Sequence, residues 1–195
     1  MYGRRSDPLL LKRGVKMKKM QKSTAVALCG VIAALCIVLM LLSGLIQIAS
    51  IAIPALCGIL LIVIVLELSA KWVLCVYAAV SVISLLLVAD KEAAVMFAAF
   101  FGYYPILKAK LDPIRPKAVS FLIKLLIFNT AMILEYFAAI RLLGVPAEEY
   151  ELFGVSLPLV LLVLANAVFV IYDYALFGLV VIYCSRVRPK LKFLR

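Results

Sequence analysis

The sequence has no histidine and few charged side chains. Only 16% of its 195 residues are Asp, Glu, Lys or Arg, against roughly 25% in ordinary soluble domains. Apolar residues make up 67% of the chain, and the mean hydropathy is +1.19. A soluble domain needs more polar surface than these residues can provide. The composition therefore excludes a cytosolic enzyme, a secreted disulfide scaffold and a disordered chain, and it indicates an integral membrane protein.

The chain also lacks the residues of common metal, nucleotide and catalytic sites. No two of its five cysteines form a C-x-x-C pair, so we expect neither a zinc site nor a haem site, and no cofactor. No G-x-x-x-x-G-K-[ST] loop is present, so the chain is not expected to hydrolyse ATP itself. No nucleophile–base set is recognisable, which argues against an enzyme. We interpret the cysteines as small apolar packing residues: Cys29, Cys36, Cys57, Cys75 and Cys184.

Six apolar runs of helix length follow one another between two basic tails. A helix needs about 20 residues to cross the hydrocarbon core of a bilayer, and continuous apolar runs favour helices over a strand barrel. We predict an all-α integral membrane protein with six transmembrane helices in one bundle, spanning residues 24–185. The predicted helices are 24–43, 50–67, 71–89, 92–108, 117–143 and 157–185, and the predicted tails are 1–23 and 186–195.

The basic residues are concentrated in alternate loops. Lys and Arg number 21 against 10 Asp and Glu, an excess that in a soluble protein would suggest nucleic acid as a partner. With the N-terminus placed inside, eighteen of the 21 basic residues fall on the inner side, and only Lys91 and Arg141 fall outside. The positive-inside rule then places both termini in the cytoplasm. We expect a multi-pass protein of a bacterial plasma (inner) membrane, in contact with lipid and without a nucleic-acid partner.

Three ionisable residues lie well inside the predicted spans: Lys124, Glu135 and Asp173. Such groups are costly in a bilayer and are default functional candidates. Counting residues from the span ends predicts two polar layers, one pairing Glu135 with Asn166 and the other pairing Asn129 with Asp173. Lys124 is expected to extend toward the cytoplasmic interface. Two interpretations stay open for these residues, a polar lock between helices and a ligand site.

Aromatic residues cluster in the fourth and sixth predicted spans. An aromatic wall with a few polar groups suits a planar small ligand, whereas lipid-facing or interfacial aromatics are the alternative. Pro105 also predicts an irregular point in the backbone at residues 102–105. The aromatic residues are Phe97, Phe100, Phe101, Tyr103 and Tyr104 before Pro105, and Tyr172, Tyr174, Phe177 and Tyr183 around Asp173.

Small residues recur every fourth position in the first span, and this spacing lets another helix approach closely. The segment from Lys22 to Leu35, KSTAVALCGVIAAL, opening six spans with cytoplasmic ends, resembles the S components of energy-coupling factor (ECF) transporters. The resemblance implies a small membrane protein that captures a vitamin or related micronutrient. It also implies docking on a transmembrane coupling protein with two ATPases. The family carries an Ala-x-x-x-Ala motif in this span, whose nearest counterparts here are Ala25/Cys29/Ala33 and Gly30/Ala34.

The same resemblance implies a substrate site on the outer side, built from the first outer loop and spans four to six. By position, it points to Tyr103, Glu135, Asn166 and Asp173. Together with the residues singled out above, the candidate substrate-binding set is Tyr103, Tyr104, Asn129, Glu135, Asn166 and Asp173.

We therefore expect a capture subunit of an ATP-driven uptake transporter, with a small-molecule substrate. The main alternative is a structural or assembly membrane protein whose buried polar residues only lock helices. A membrane-embedded enzyme is disfavoured by the missing catalytic groups. A self-sufficient carrier is disfavoured because the six spans show no clear inverted repeat.

Overall fold

The computed structural model describes residues 21–45, 50–142, 151–152 and 155–187, so most of both predicted tails lies outside the described residues. The described part is helical apart from a short antiparallel ribbon in which Glu151 pairs with Ser156. The elements are α1 (Lys22–Ser43), α2 (Ala52–Glu67), α3 (Ala70–Leu87), α4 (Lys91–Met96), a π-helical turn (Phe97–Phe101), α5 (Tyr104–Leu111), α6 (Lys117–Leu142), β1 (Glu151–Leu152), β2 (Val155–Ser156), α7 (Leu157–Ile182) and a second π-helical turn (Tyr183–Val187).

The prediction of a helical chain with membrane-type helices is confirmed in this coarse form. Four helical segments are long and apolar enough to cross a membrane by length and composition: Lys22–Ser43, Ala70–Leu87, Lys117–Ala138 and Leu162–Val187. The second predicted span forms the 16-residue helix α2, which rises only about 24 Å. The fourth predicted span is a broken helix made of α4, the first π-helical turn and α5. The count of six spans stays a prediction.

The backbone irregularity predicted near Pro105 is present. Proline has no N–H, so the carbonyl of Phe101 loses its usual helical donor. The chain adjusts upstream, where the Gly102 N–H donates to the Phe97 carbonyl five residues back, at 2.8 Å. The Tyr77 hydroxyl donates to the Ala98 carbonyl in the same turn at 2.6 Å. The Tyr77 bond anchors the π-helical turn to α3.

Helix α2 lies at the centre of the described bundle and contacts α1, α3, the first π-helical turn and α5. Its side chains Cys57, Leu61 and Ile64 are fully buried. The long helices, by contrast, expose large aliphatic side chains: Val31, Leu86, Leu126 and Ile171 are each about two-thirds or more exposed. Extended apolar exteriors are rare on soluble monomers, so this surface is compatible with a protein surrounded by lipid.

Candidate functional site

The structure distributes the six predicted substrate residues over four separate places. Tyr104 and Asp173 meet in a group of charged residues, while Asn129 and Asn166 bond to each other. Glu135 is buried apart from both groups, and Tyr103 lines a surface groove. The predicted set is therefore not a single site.

The largest polar feature is a charge cluster, defined here as Tyr104, Lys108, Asp112, Lys124 and Asp173. The Oδ1 atom of Asp173 accepts from the Tyr104 hydroxyl and from the Lys108 ammonium, each at 2.5 Å. Lys124 donates to Asp112 and lies 3.4 Å from Asp173 Oδ1. Lys108 also lies 3.6 Å from Asp112. Two cations and two anions thus compensate each other across α5, α6 and α7.

Helix periodicity explains how α5 supplies three members of the cluster. Tyr104, Lys108 and Asp112 are spaced four residues apart, so they share one face of α5 and its C-terminal cap. Lys108 and Lys124 are each only 4% exposed. A buried ammonium is tolerated only when it is paired and hydrogen-bonded, and the two aspartates meet that requirement.

Lys124 is buried, and its ammonium reaches Asp112 at the C-terminal cap of α5 and approaches Asp173 on α7. Its extension toward the cytoplasmic interface stays a prediction. The sequence did not reveal Lys108 and Asp112, because Lys108 was the last residue of the predicted helix 92–108 and Asp112 lay between the fourth and fifth predicted helices. The i, i+4 spacing of Tyr104, Lys108 and Asp112 was the signal that could have identified them.

The predicted pairing of Asn129 with Asp173 and of Glu135 with Asn166 is wrong. Asn129 and Asn166 instead exchange two amide hydrogen bonds, each 2.9 Å long. Each amide also donates to the carbonyl four residues earlier in its own helix, Leu125 for Asn129 and Leu162 for Asn166. The axial offset of α6 and α7 differs from the predicted one by about two helical turns, or about 10 Å. The axial offset between two helices cannot be predicted by counting residues from their ends.

An aromatic layer separates the charge cluster from the rest of the bundle interior. Phe128 lies one turn beyond Lys124 on α6, and Phe169 lies one turn before Asp173 on α7. Their rings stack with centroids 4.6 Å apart and planes 15° apart. Phe100 contacts both rings edge-on. The layer consists of Phe100, Phe101, Tyr104, Phe128, Phe169 and Tyr172.

These aromatic residues fill the bundle and do not line an open wall, because their rings pack against one another. The sequence prediction of an aromatic binding wall is therefore not supported at this level of the bundle. Tyr174 is 78% exposed and Phe177 is about half exposed, which matches the lipid-facing alternative for span six.

Glu135 is the exception among the ionisable groups inside the bundle. It belongs to the buried face of α6, together with Ser120, Lys124, Phe128 and Ala131. The residue is 8% exposed, and its Oε1 atom has no hydrogen-bond partner among the described residues. It lies about 16 Å along α6 from Lys124, which places it on the far side of the aromatic layer. A buried carboxyl oxygen without a hydrogen-bond partner is costly, so its retention calls for a reason.

Tyr103 faces a different environment from its neighbour Tyr104, because adjacent helical residues point about 100° apart. Its ring meets Tyr77 edge-on with centroids 6.1 Å apart. An open surface groove of about 350 Å³ lies here, lined by Leu74, Tyr77, Tyr103, Ile106, Leu107 and Lys110.

The small residues predicted for docking divide between two faces of α1. Ala25 and Cys29 are buried against the neighbouring helices, and Ala33 is half-buried. Gly30 and Ala34 are exposed, and nothing lies within 4 Å of the Cβ position at Gly30. Of the two predicted sets of small residues, only the Gly30/Ala34 set is exposed and can contact another helix.

The cysteines are free thiols. The buried pair Cys36 and Cys57 joins α1 to α2 through reciprocal contacts, in which each thiol approaches the carbonyl of the other residue at 3.8 and 3.6 Å. In the described part of the chain, no three Cys, Asp or Glu side chains form a group that could hold a metal ion.

No protein-family model, no curated protein and no solved structure matches the chain. Functional inference therefore depends on the contacts described above.

Proposed function

We propose that the protein is a capture subunit for a small solute, acting in an ATP-driven uptake transporter whose ATPases are separate chains. The observation that carries this proposal is Glu135, a buried carboxylate whose Oε1 atom has no partner in the described part of the chain. An intramembrane ionisable group of this kind is a functional candidate by default. The other buried charges are already paired within the protein, so Glu135 is the group left to meet a ligand.

The aromatic layer supports capture as opposed to conduction. Stacked rings of Phe128 and Phe169 close the interior between Glu135 and the charge cluster. A solute bound at Glu135 therefore has no open path past this layer in the described conformation. Passage needs a conformational change, and the sequence contains no nucleotide-binding loop to power one. A partner with ATPase activity supplies that energy under the proposal.

The exposed Gly30/Ala34 face of α1 is the surface that we assign to the membrane partner. Small residues four apart allow close helix–helix approach in lipid, and the Cβ position at Gly30 is open. The inward-facing Ala25 and Cys29 are occupied by contacts within the chain and are not part of this assignment.

The experiment is affinity purification of the full chain from its native cells in mild detergent, followed by mass spectrometry of proteins and small molecules. We expect one transmembrane partner, two ATPases and a retained metabolite. The double variant Gly30→Leu/Ala34→Leu should lose the partners, whereas the matched control Val31→Leu should keep them. Recovery of the wild-type chain with neither ATPases nor a metabolite would contradict the proposal.

A structural or assembly role is the second candidate, and a specific observation favours it. The members of the charge cluster bond to one another across α5, α6 and α7, and Asn129 bonds to Asn166 across α6 and α7, as expected for polar groups that join helices in lipid. Under this alternative Glu135 binds no solute, so Glu135→Gln leaves the set of co-purified small molecules unchanged. Under the capture proposal, the same variant loses the retained metabolite while the fold persists.

A further inference from the structure

We infer that the solute bound at Glu135 is an organic cation, such as a protonated amine, a quaternary ammonium or a guanidinium compound. This inference deepens the capture function proposed above and rests on it. It assigns a substrate class to a single buried carboxylate.

The charges inside the bundle are balanced everywhere in the described residues except at Glu135. Among the described residues, Lys108 and Lys124 are compensated by Asp112 and Asp173. Glu135 belongs to the same buried face of α6 as Lys124 but lies beyond the aromatic layer, so no member of the charge cluster neutralises it. A buried carboxylate is most strongly stabilised by a cation that also donates a hydrogen bond.

Among the described residues, no cation of the bundle is directed at Glu135. Lys91 begins the neighbouring helix α4, but its ammonium donates to the Leu85 carbonyl at the end of α3, at 2.8 Å. Arg141 is exposed, and its position six residues after Glu135 places it on another face of α6. The described cations nearest in sequence and packing are thus directed elsewhere.

The charge of a residue near Glu135 also favours a cationic solute. The exposed carboxylate of Glu92, on α4, is close enough to Glu135 to interact with it electrostatically, and α4 packs against α6. The Glu92 carboxylate repels an anionic solute and attracts a cationic one, and a cation bound at Glu135 favours the ionised form of that side chain. Glu92 thus favours entry of a cation, and Glu135 supplies the buried contact.

The residues around Glu135 favour an organic cation over a metal ion. Metal sites in proteins use several oxygen, nitrogen or sulfur ligands, and the described residues contain no such group of three. Small apolar side chains are buried on both helices here: Ala131 lies one turn before Glu135 on α6, and Ala93 and Ala94 lie on α4, which packs against α6. A single carboxylate with apolar neighbours suits an organic cation, whose carbon atoms gain from apolar contact.

The test is equilibrium dialysis of the purified full chain against a defined mixture, read by mass spectrometry. The mixture contains primary amines, quaternary ammonium compounds and guanidinium compounds, each with an uncharged isostere, together with a set of carboxylates. For wild-type protein we expect at least one cation to be enriched about ten- to hundred-fold over its isostere, the range of a buried charge-assisted hydrogen bond.

Four variants make the result specific to Glu135. Glu135→Gln should reduce the cation preference to less than about twofold, whereas Glu135→Asp, which keeps the charge, should retain a preference. Glu92→Gln removes the exposed carboxylate that contributes to the local field, and we expect it to reduce enrichment by less than about threefold. Glu67→Gln is the matched control, since it makes the same chemical change next to Tyr183, outside the proposed site, and it should leave enrichment unchanged. Thermal unfolding in the same detergent checks that each variant is folded.

Enrichment of a neutral or anionic compound, enrichment that survives Glu135→Gln, or no enriched cation would each overturn the inference. These outcomes are separable from failure of the capture function. ATPase partners together with a neutral or anionic metabolite would contradict the cation inference alone. A Glu135-dependent cation without any ATPase partner would contradict the transporter role alone.

Discussion

At the scale of single residues, α6 buries charge in two different ways on one face. Lys124 is surrounded by two carboxylates, whereas the Oε1 atom of Glu135, three turns further on, has no hydrogen-bond partner among the described residues. Removing a compensated charge leaves its partners buried and unpaired, but removing an uncompensated charge relieves a desolvation cost. Replacements at the two positions should therefore change stability in opposite directions.

Replacing Lys124 with Met should destabilise the protein by about 3–5 kcal/mol, the range for breaking a buried ion pair by removing one partner. Asp112 and Asp173 then share only Lys108 as a cation. The measurement is the free energy of unfolding in detergent. Lys110→Met is the matched control because Lys110 lies on the same helix as Lys108 but is exposed, and its effect should stay within about 0.5 kcal/mol.

The double variant Lys124→Met/Asp112→Leu should recover part of that loss. It leaves Lys108 and Asp173, whose atoms lie 2.5 Å apart, as a neutral pair with the Tyr104 hydroxyl still donating to Asp173. A double variant no more stable than Lys124→Met alone would mean that the four charges do not act as one compensated group.

Glu135→Gln should leave the melting temperature unchanged or raise it, since it replaces an unpartnered buried acid by a neutral side chain of the same shape. The comparison is Asp173→Asn, which weakens contacts to two lysines and should lower the melting temperature. Equal destabilisation by both variants would show that Glu135 has a structural partner and would weaken its assignment to a ligand.

The Asn129–Asn166 pair should give a coupling free energy of about 1 kcal/mol in a double-mutant cycle to Leu, similar to other interhelical hydrogen bonds in membrane proteins. Its two hydrogen bonds are lost together when either amide is removed, so the single variants should each cost nearly as much as the double. Strictly additive losses would contradict the pairing.

The polar residues of spans five and six were predictable from the sequence, but their partners were not. Lys124, Asn129, Glu135, Asn166 and Asp173 stand out because each interrupts an apolar run. Which of these residues meet depends on the axial offset between α6 and α7. That offset is set by tertiary packing and cannot be predicted from the local sequence. Here the pairing of Lys124 with Asp173 and of the two asparagines is consistent with one common offset.

At the scale of elements, the break in the fourth predicted span brings α2 unusually close. The Phe101 carbonyl, which loses its helical donor because of Pro105, approaches Gly58 so closely that a Cβ there would lie 2.7 Å from it. That approach is possible because glycine has no side chain. The close contact between α2 and the broken segment therefore depends both on the freed Phe101 carbonyl and on the missing side chain at Gly58.

Gly58→Ala should destabilise the protein, because the added methyl group meets backbone that cannot easily move. Gly30→Ala is the control for the helix propensity of alanine, since that position is also inside a helix but has nothing within 4 Å of the Cβ site. It should leave stability unchanged or increase it by up to about 1 kcal/mol. Thermal unfolding of the two variants in detergent should separate them, and similar behaviour would contradict the close contact.

The sequence predicted the position of this break but not its consequences. Pro105 following two tyrosines and a glycine was enough to expect an irregular backbone at 102–105. The π-helical turn before it depends on the Tyr77 hydroxyl and on packing with α2, which are tertiary contacts. The same break lets α5 carry Lys108 inward, and this is why the last residue of the predicted helix 92–108 is buried.

At the scale of the whole molecule, the number of helical segments that cross the membrane depends on α2 and on the α4–α5 segment. Four segments meet the length and hydropathy expected for a span, whereas α2 is short and the α4–α5 segment is broken. Yet α2 is enclosed by other helices, and irregular or short segments are tolerated at membrane depth when protein surrounds them. We therefore expect both segments to cross.

Single cysteines at three turns distinguish six spans from four, in a background of Cys75→Ala and Cys184→Ala that removes the exposed thiols. With six spans, Ser69→Cys and Arg115→Cys react with a membrane-impermeant maleimide from the same side, and Ala89→Cys reacts from the opposite side. With four spans, α2 and the α4–α5 segment both turn back without crossing. Ser69→Cys then reacts from the outer side, and Ala89→Cys and Arg115→Cys both react from the cytoplasmic side. All three positions are exposed, so labelling reports topology, and we expect the six-span pattern with Arg115→Cys facing the cytoplasm.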